Sequence, residues 1–80
     1  MDRDAIGRNC RAMRQNLGLS QAELAGYLGK VLGRTIHQTT LSSIESGRNA
    51  PSMQMLTGLC AVYGVTPDEL MGVGGNADNR

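Results

Sequence analysis

Eighty residues that are 40% apolar suffice for one small core, because folding at this size buries only about 60% of the surface of the unfolded chain; two domains are excluded. The apolar side chains are aliphatic, with five Met, two Tyr and neither Trp nor Phe, and no apolar run approaches the length of a membrane span. The formal net charge is +1, but between Ala5 and Thr66 the basic residues Arg8, Arg11, Arg14, Lys30, Arg34 and Arg48 are set against only Glu23 and Glu45, so a near-neutral chain can turn a basic face to phosphate.

The first element is a helix from about Asp4 to Leu17. Ile6, Cys10, Met13 and Leu17 recur at helical spacing and form one apolar stripe, and Gly18 suits a left-handed stop. Ser20 with Glu23 makes a capping box for the second helix, and Leu19 with Leu24 a hydrophobic staple. The stripe runs on through Ala25, Leu28, Val31 and Leu32, so this helix ends at either Gly29 or Gly33.

Residues 37–46 read His-Gln-Thr-Thr-Leu-Ser-Ser-Ile-Glu-Ser. Ser and Thr are mediocre helix formers, and no period-2 pattern supports a strand. Leu41 and Ile44, one turn apart, predict a short third helix held by packing, with amides and hydroxyls on its outer face. After the loop Gly47 to Pro51, Ser52 caps a fourth helix, Met55, Leu56, Leu59, Cys60 and Tyr63 face inward, and Gly64 stops it. Thr66, Pro67 and Glu69 open a fifth helix with a second capping box, and Val65 with Leu70 forms a second staple. The expected fold is all-α, a compact five-helix domain over residues 1–72 with a flexible tail at 73–80.

Catalytic chemistry is poorly supplied. His37 is the one histidine, whereas a metal site needs three or four ligands. Cys10 and Cys60 fall on apolar stripes and read as free core thiols. The expectation is a protein without enzyme activity, metal or cofactor. The opening MDRDAIGR lacks the basic-then-apolar order of a secretory signal, which points to the cytoplasm. A well-capped helix followed by a short polar helix on two apolar anchors is the helix-turn-helix plan, whose second helix enters the DNA major groove. Base edges are read by short polar side chains, which accounts for the composition of residues 37–46.

The segments LSQAELA (19–25), IESGRNAPS (44–52) and YGVTPDEL (63–70) together resemble the lambda repressor/Cro-type, or XRE, family of helix-turn-helix domains over residues 5–72. The resemblance implies a five-helix domain that binds double-stranded operator DNA, often as a homodimer. It implies base reading by Gln38, Thr39 and Ser43, flanked by His37, Thr40 and Ser42. It further implies phosphate contacts from Gln21, Arg48 and Asn49, and a structural ion pair between Arg14 and Glu45. Lys30 to Thr35 lengthen helix 2 and the turn beyond the family pattern, adding Lys30 and Arg34 as expected phosphate contacts and leaving the docking register open. Two functions follow: a sequence-specific transcriptional regulator, expected to be a repressor because so small a chain carries no sensor or activation domain, or an antitoxin-like module that sequesters a protein partner. Helix 5, with Val65, Leu70, Met71 and Val73, is the expected dimer face.

Overall fold

Asp2 accepts a hydrogen bond from the Ala5 N–H and caps α1 (Arg3–Asn16); it thus supplies a start signal that the sequence pattern alone did not single out. The computed structural model describes residues 2–72; the expected tail and Val73 lie outside them. Four further helices follow: α2 (Gln21–Leu32), α3 (Gln38–Glu45), α4 (Met53–Tyr63) and α5 (Pro67–Met71). The described residues contain no strand, so the all-α five-helix expectation holds.

Both predicted capping boxes form. The Ser20 hydroxyl accepts from the Glu23 N–H while Glu23 accepts from the Ser20 N–H, and Thr66 and Glu69 repeat the exchange. Each box satisfies two helix-end donors that would otherwise lack partners. The open question at the end of α2 resolves at Gly33, whose φ of 70° is left-handed and whose N–H, with that of Arg34, donates to the Gly29 carbonyl. The added residues are thus taken up by a longer α2 and a folded turn. Ile36, buried in the core, pins that turn down just before α3.

α1 packs on α3 and α5, and α2 packs on α3 and α4. Leu24, Leu28, Leu41, Leu59 and Leu70 meet in the centre with Ile6 and Cys10. The Asn9 side-chain amide donates to the Leu70 carbonyl at 2.7 Å, tying the short α5 to α1. Two expectations about the stripes need correcting. Leu17 and Val31 are each 50% exposed, because the stripe on each helix drifts past the edge of its contact with the other helices. Leu70 is fully buried, and Val65 and Met71 are half-buried against the same core. The inner side of α5 is therefore consumed within the chain, and Leu70 has no surface to offer a second copy.

The α1–α3 crossing depends on Gly7. A Cβ there would sit 2.5 Å from the Ile44 carbonyl oxygen and 2.7 Å from that of Glu45, both rigid backbone atoms. In an isolated helix, Gly7→Ala would gain about 1 kcal/mol. Here the crossing must open, and we expect a net loss of about 1–3 kcal/mol. Thermal melting checks this; a higher Tm for Gly7→Ala would mean that the two helices have room to spare.

Candidate nucleic-acid interface

Only two residues of α3, Leu41 and Ile44, are buried. Gln38, Thr39, Thr40 and Ser42 are exposed, Ser43 is half-buried, and His37 precedes them as an exposed N-cap without a side-chain cap bond. The helix is thus held from beneath by two aliphatic anchors and turns amides and hydroxyls outward. Exposed helix surfaces without a ligand are ordinarily filled with stronger helix formers such as Glu and Lys.

Behind α3 lies a connected set of polar side chains. The Arg14 guanidinium grips Glu45 with two parallel bonds, Nε to Oε2 at 2.7 Å and Nη2 to Oε1 at 2.9 Å. A third Arg14 donor goes to the Leu19 carbonyl at 2.8 Å. The Arg14 and Glu45 side chains are only 13% and 6% exposed, and the bonds to Glu45 raise the Arg14 pKa further above its already high ordinary value. Gln21 Nε2 donates to Glu45 Oε1 at 3.1 Å, and Gln38 Nε2 donates to Gln21 Oε1 across a longer 3.4 Å.

This chain has a direction. An ionised carboxylate only accepts, so Gln21 must turn its NH₂ to Glu45 and its carbonyl oxygen to Gln38. Gln38 must in turn donate, which leaves its own carbonyl oxygen and one N–H for an outside partner. The structure therefore occupies both ends of the Gln21 side chain within the protein. One N–H of its amide is left over, so the bond that orients Gln38 is compatible with the expected contact with phosphate. An anion at the start of α2 would also meet the Gln21 and Ala22 backbone N–H groups, which lie outside the capping box, at the positive end of the helix dipole.

Clefts run along both sides of α3. One, of about 270 Å³, is lined by Arg11, Arg14, Gln21, Ser42, Glu45 and Ser46. The other, of about 410 Å³, lies between His37, Thr39, Thr40 and Ser43 on one wall and Arg34, Asn49 and Ser52 on the other. Arg34 is steadied there by a bond from Nε to Gln54 Oε1 at 3.3 Å. The Arg48 and Asn49 N–H groups both donate to the Ser43 carbonyl, and Arg3 Nη1 donates to the Arg48 carbonyl at 3.2 Å; these bonds hold the loop against the end of α3. A polar helix is thus bordered by cations on either side, Arg11 on one and Arg34 on the other, with Arg48 in the loop past its C-terminal end. Arg11 is the member that sequence reading passed over. Its only signal was its place among the basic residues.

Lys30 does not join this group. Its ammonium stands over the Tyr27 ring, 6.0 Å from the centroid, and it lines neither cleft beside α3. Only three residues separate Lys30 from Arg34, but the left-handed Gly33 turns the chain between them.

The remaining titratable groups of note are under the surface. Cys10 and Cys60 are free and buried. Burial, with the nearby Glu45 charge adding to it, raises the Cys10 thiol from its ordinary 9.0 to about 12. The Tyr63 hydroxyl is buried beside it without a hydrogen-bond partner, and burial raises its pKa as well. Both groups stay protonated in the folded chain at pH values where the unfolded chain ionises them. Folding stability from these groups is therefore intact below the ordinary pKa of about 9 and is lost as pH climbs toward 12. We expect the Tm to fall over that alkaline window and Cys10→Ser to make the fall shallower, as read by melting curves at stepped pH; a Tm independent of pH there would contradict the burial of both groups.

A family model described as helix-turn-helix matches residues 11–70. Two crystal structures of the clp gene regulator ClgR from Corynebacterium glutamicum are similar in fold. One has a TM-score of 0.77 at 23% identity and covers 96% of this chain and 76% of that one. The second has a TM-score of 0.75 at 23% identity, with coverage of 98% and 94%. No curated protein matches in sequence.

Proposed function

Since the chain belongs to the helix-turn-helix family of lambda repressor/Cro-like domains, we propose that it is a sequence-specific DNA-binding transcriptional regulator, a repressor that binds a palindromic operator as a homodimer. The observation that carries this reading is the outer face of α3: amides and hydroxyls held on Leu41 and Ile44, with one amide already oriented from behind. In the major groove, Gln38 would present a carbonyl oxygen to the adenine N6 donor and an N–H to N7. Thr39, Thr40 and Ser42 would meet neighbouring base edges, and the Thr methyl groups suit thymine. Arg11 on one side and Arg34, Arg48 and Asn49 on the other would meet the two phosphate backbones that border the groove, fixing register without reading sequence.

One such helix spans only a few base pairs. Two copies with recognition helices about 34 Å apart would read a two-fold site. Repression needs nothing beyond occupancy, because a domain seated on an operator excludes other proteins from it.

Selection of bound duplexes from a random DNA pool, followed by sedimentation on the selected site, tests the reading. The expected result is a palindromic consensus that carries two chains and is released by salt. Absence of any enriched duplex would reject sequence-specific binding. One chain per site at saturation would reject the dimer.

A further inference from the structure

Leu17, Tyr27 and Val31, each 50% exposed, come together with Leu19 and Val62 around a groove of about 420 Å³. Such a concentration of large exposed apolar side chains in one place marks a contact surface more often than scatter does. Among the described residues, Lys30 is the one charged residue on the groove, held at its rim over the Tyr27 ring.

The groove lies away from α3. Gly29 on α2 faces the turn that leads into α3, since a Cβ there would lie 2.9 Å from the Arg34 carbonyl oxygen. Tyr27, two residues earlier, stands about 200° around the helix, on the opposite flank. A groove so placed stays open when α3 is occupied.

Charge decides what fits it. Among the described residues, no carboxylate lines the groove. Asp2, Glu23, Glu45 and Glu69 are taken up by helix caps and by Arg14, and the exposed Asp4 and Asp68 stand in the first turns of α1 and α5, off the groove. A two-fold contact with a second copy would bring two Lys30 ammonium groups into one apolar contact, which is unfavourable. A partner must bring apolar side chains for the floor and an acid for the rim. The floor is made by α2, α4 and the turn between α1 and α2 and offers no strand edge, so the fitting shape is a helix laid in a groove, with anchors one turn apart.

We propose that this groove docks an amphipathic helix of another protein, with two or three aliphatic anchors on the Leu17–Tyr27–Val31 floor and a carboxylate opposite Lys30. The test needs no DNA, so it stands or falls separately from the operator reading. A phage-displayed library built on an amphipathic helix, with its flanking positions randomised, is selected against the full chain. Enriched peptides should carry Asp or Glu beside the aliphatic anchors and should shift the amide resonances of Leu17, Tyr27, Val31 and Val62 in the labelled protein. Tyr27→Ser should weaken them about tenfold or more, with an unchanged melting curve. Selection against Lys30→Glu should turn the flanking preference from acidic to basic. The proposal is overturned if no helix is enriched, if the preference ignores Lys30→Glu, or if the resonance shifts fall elsewhere. It is equally overturned if the free protein self-associates in sedimentation and Val31→Glu abolishes that association, because the occupant would then be a second copy.

Discussion

Arg14→Ala is expected to cost about 3–5 kcal/mol of folding stability, close to the whole stability of a marginal domain of this size. The loss comes less from the missing attraction than from what remains. Glu45, 6% exposed in its side chain, would keep a charge with only Gln21 to satisfy it, and the Leu19 carbonyl would lose its donor. For a chain this short the Tm should fall by about 12 °C or more. Glu45→Ala should do comparable damage by stranding the guanidinium. Arg14→Met with Glu45→Leu should be milder than either single change, since two apolar groups leave no uncompensated charge. Measuring all three melts decides the matter. If Arg14→Ala melts like the parent, the pair contributes nothing to the fold. The double variant should still bind DNA more weakly than the parent, because Gln21 would no longer be held by a carboxylate and could turn either end toward Gln38.

What the sequence made legible was mostly local. Ser20 with Glu23 and Thr66 with Glu69 are complete within four residues, so the capping boxes could be read directly and both are formed. Leu41 and Ile44 carried α3 despite its poor helix formers, because two anchors a turn apart suffice once α1 and α2 supply a floor. Exposure was less legible. Periodicity put Leu17 and Val31 on apolar stripes, but whether a stripe is covered depends on where the neighbouring helices stop, and neither residue is covered. Leu70 shows the reverse: near the end of the fold in sequence, it is sealed by α1 through the Asn9 bond to its own carbonyl. Lys30 and Arg34 read as equivalent cations in one insertion. The turn at Gly33 sends them to opposite flanks of α2, and its backbone angle is a property of three-dimensional closure that charge counting does not see. The role of Gln21 was hidden for a related reason. An exposed-looking N1 residue became a link only when Glu45, 24 residues further on, came within 3.1 Å of it.

Gln38→Ala should cost roughly 1–3 kcal/mol on the cognate operator and little on scrambled DNA, whereas Arg48→Ala should weaken both alike. Gln38 sits at the first position of α3 with its carbonyl oxygen and one N–H left free, a pattern that matches one base and not its neighbours. Arg48 sits past the end of the helix, where its backbone N–H is spent on the Ser43 carbonyl and its backbone carbonyl on Arg3. We expect its guanidinium to reach phosphate rather than a base edge, so that its loss lowers the salt slope by about one unit. Gln21 gives the sharper test because it would not touch the base at all. Gln21→Glu puts a second carboxylate against Glu45 and removes the donor that fixed the amide order. Discrimination between cognate and scrambled duplexes should then fall toward that of Gln38→Ala, while binding to scrambled DNA changes much less. Titrations of the three variants on both duplexes at several salt concentrations separate these roles. Equal losses on both duplexes for Gln38→Ala would remove it from base reading and pass the first contact to Thr39. Full discrimination in Gln21→Glu would show that Gln38 orients itself without help from α2.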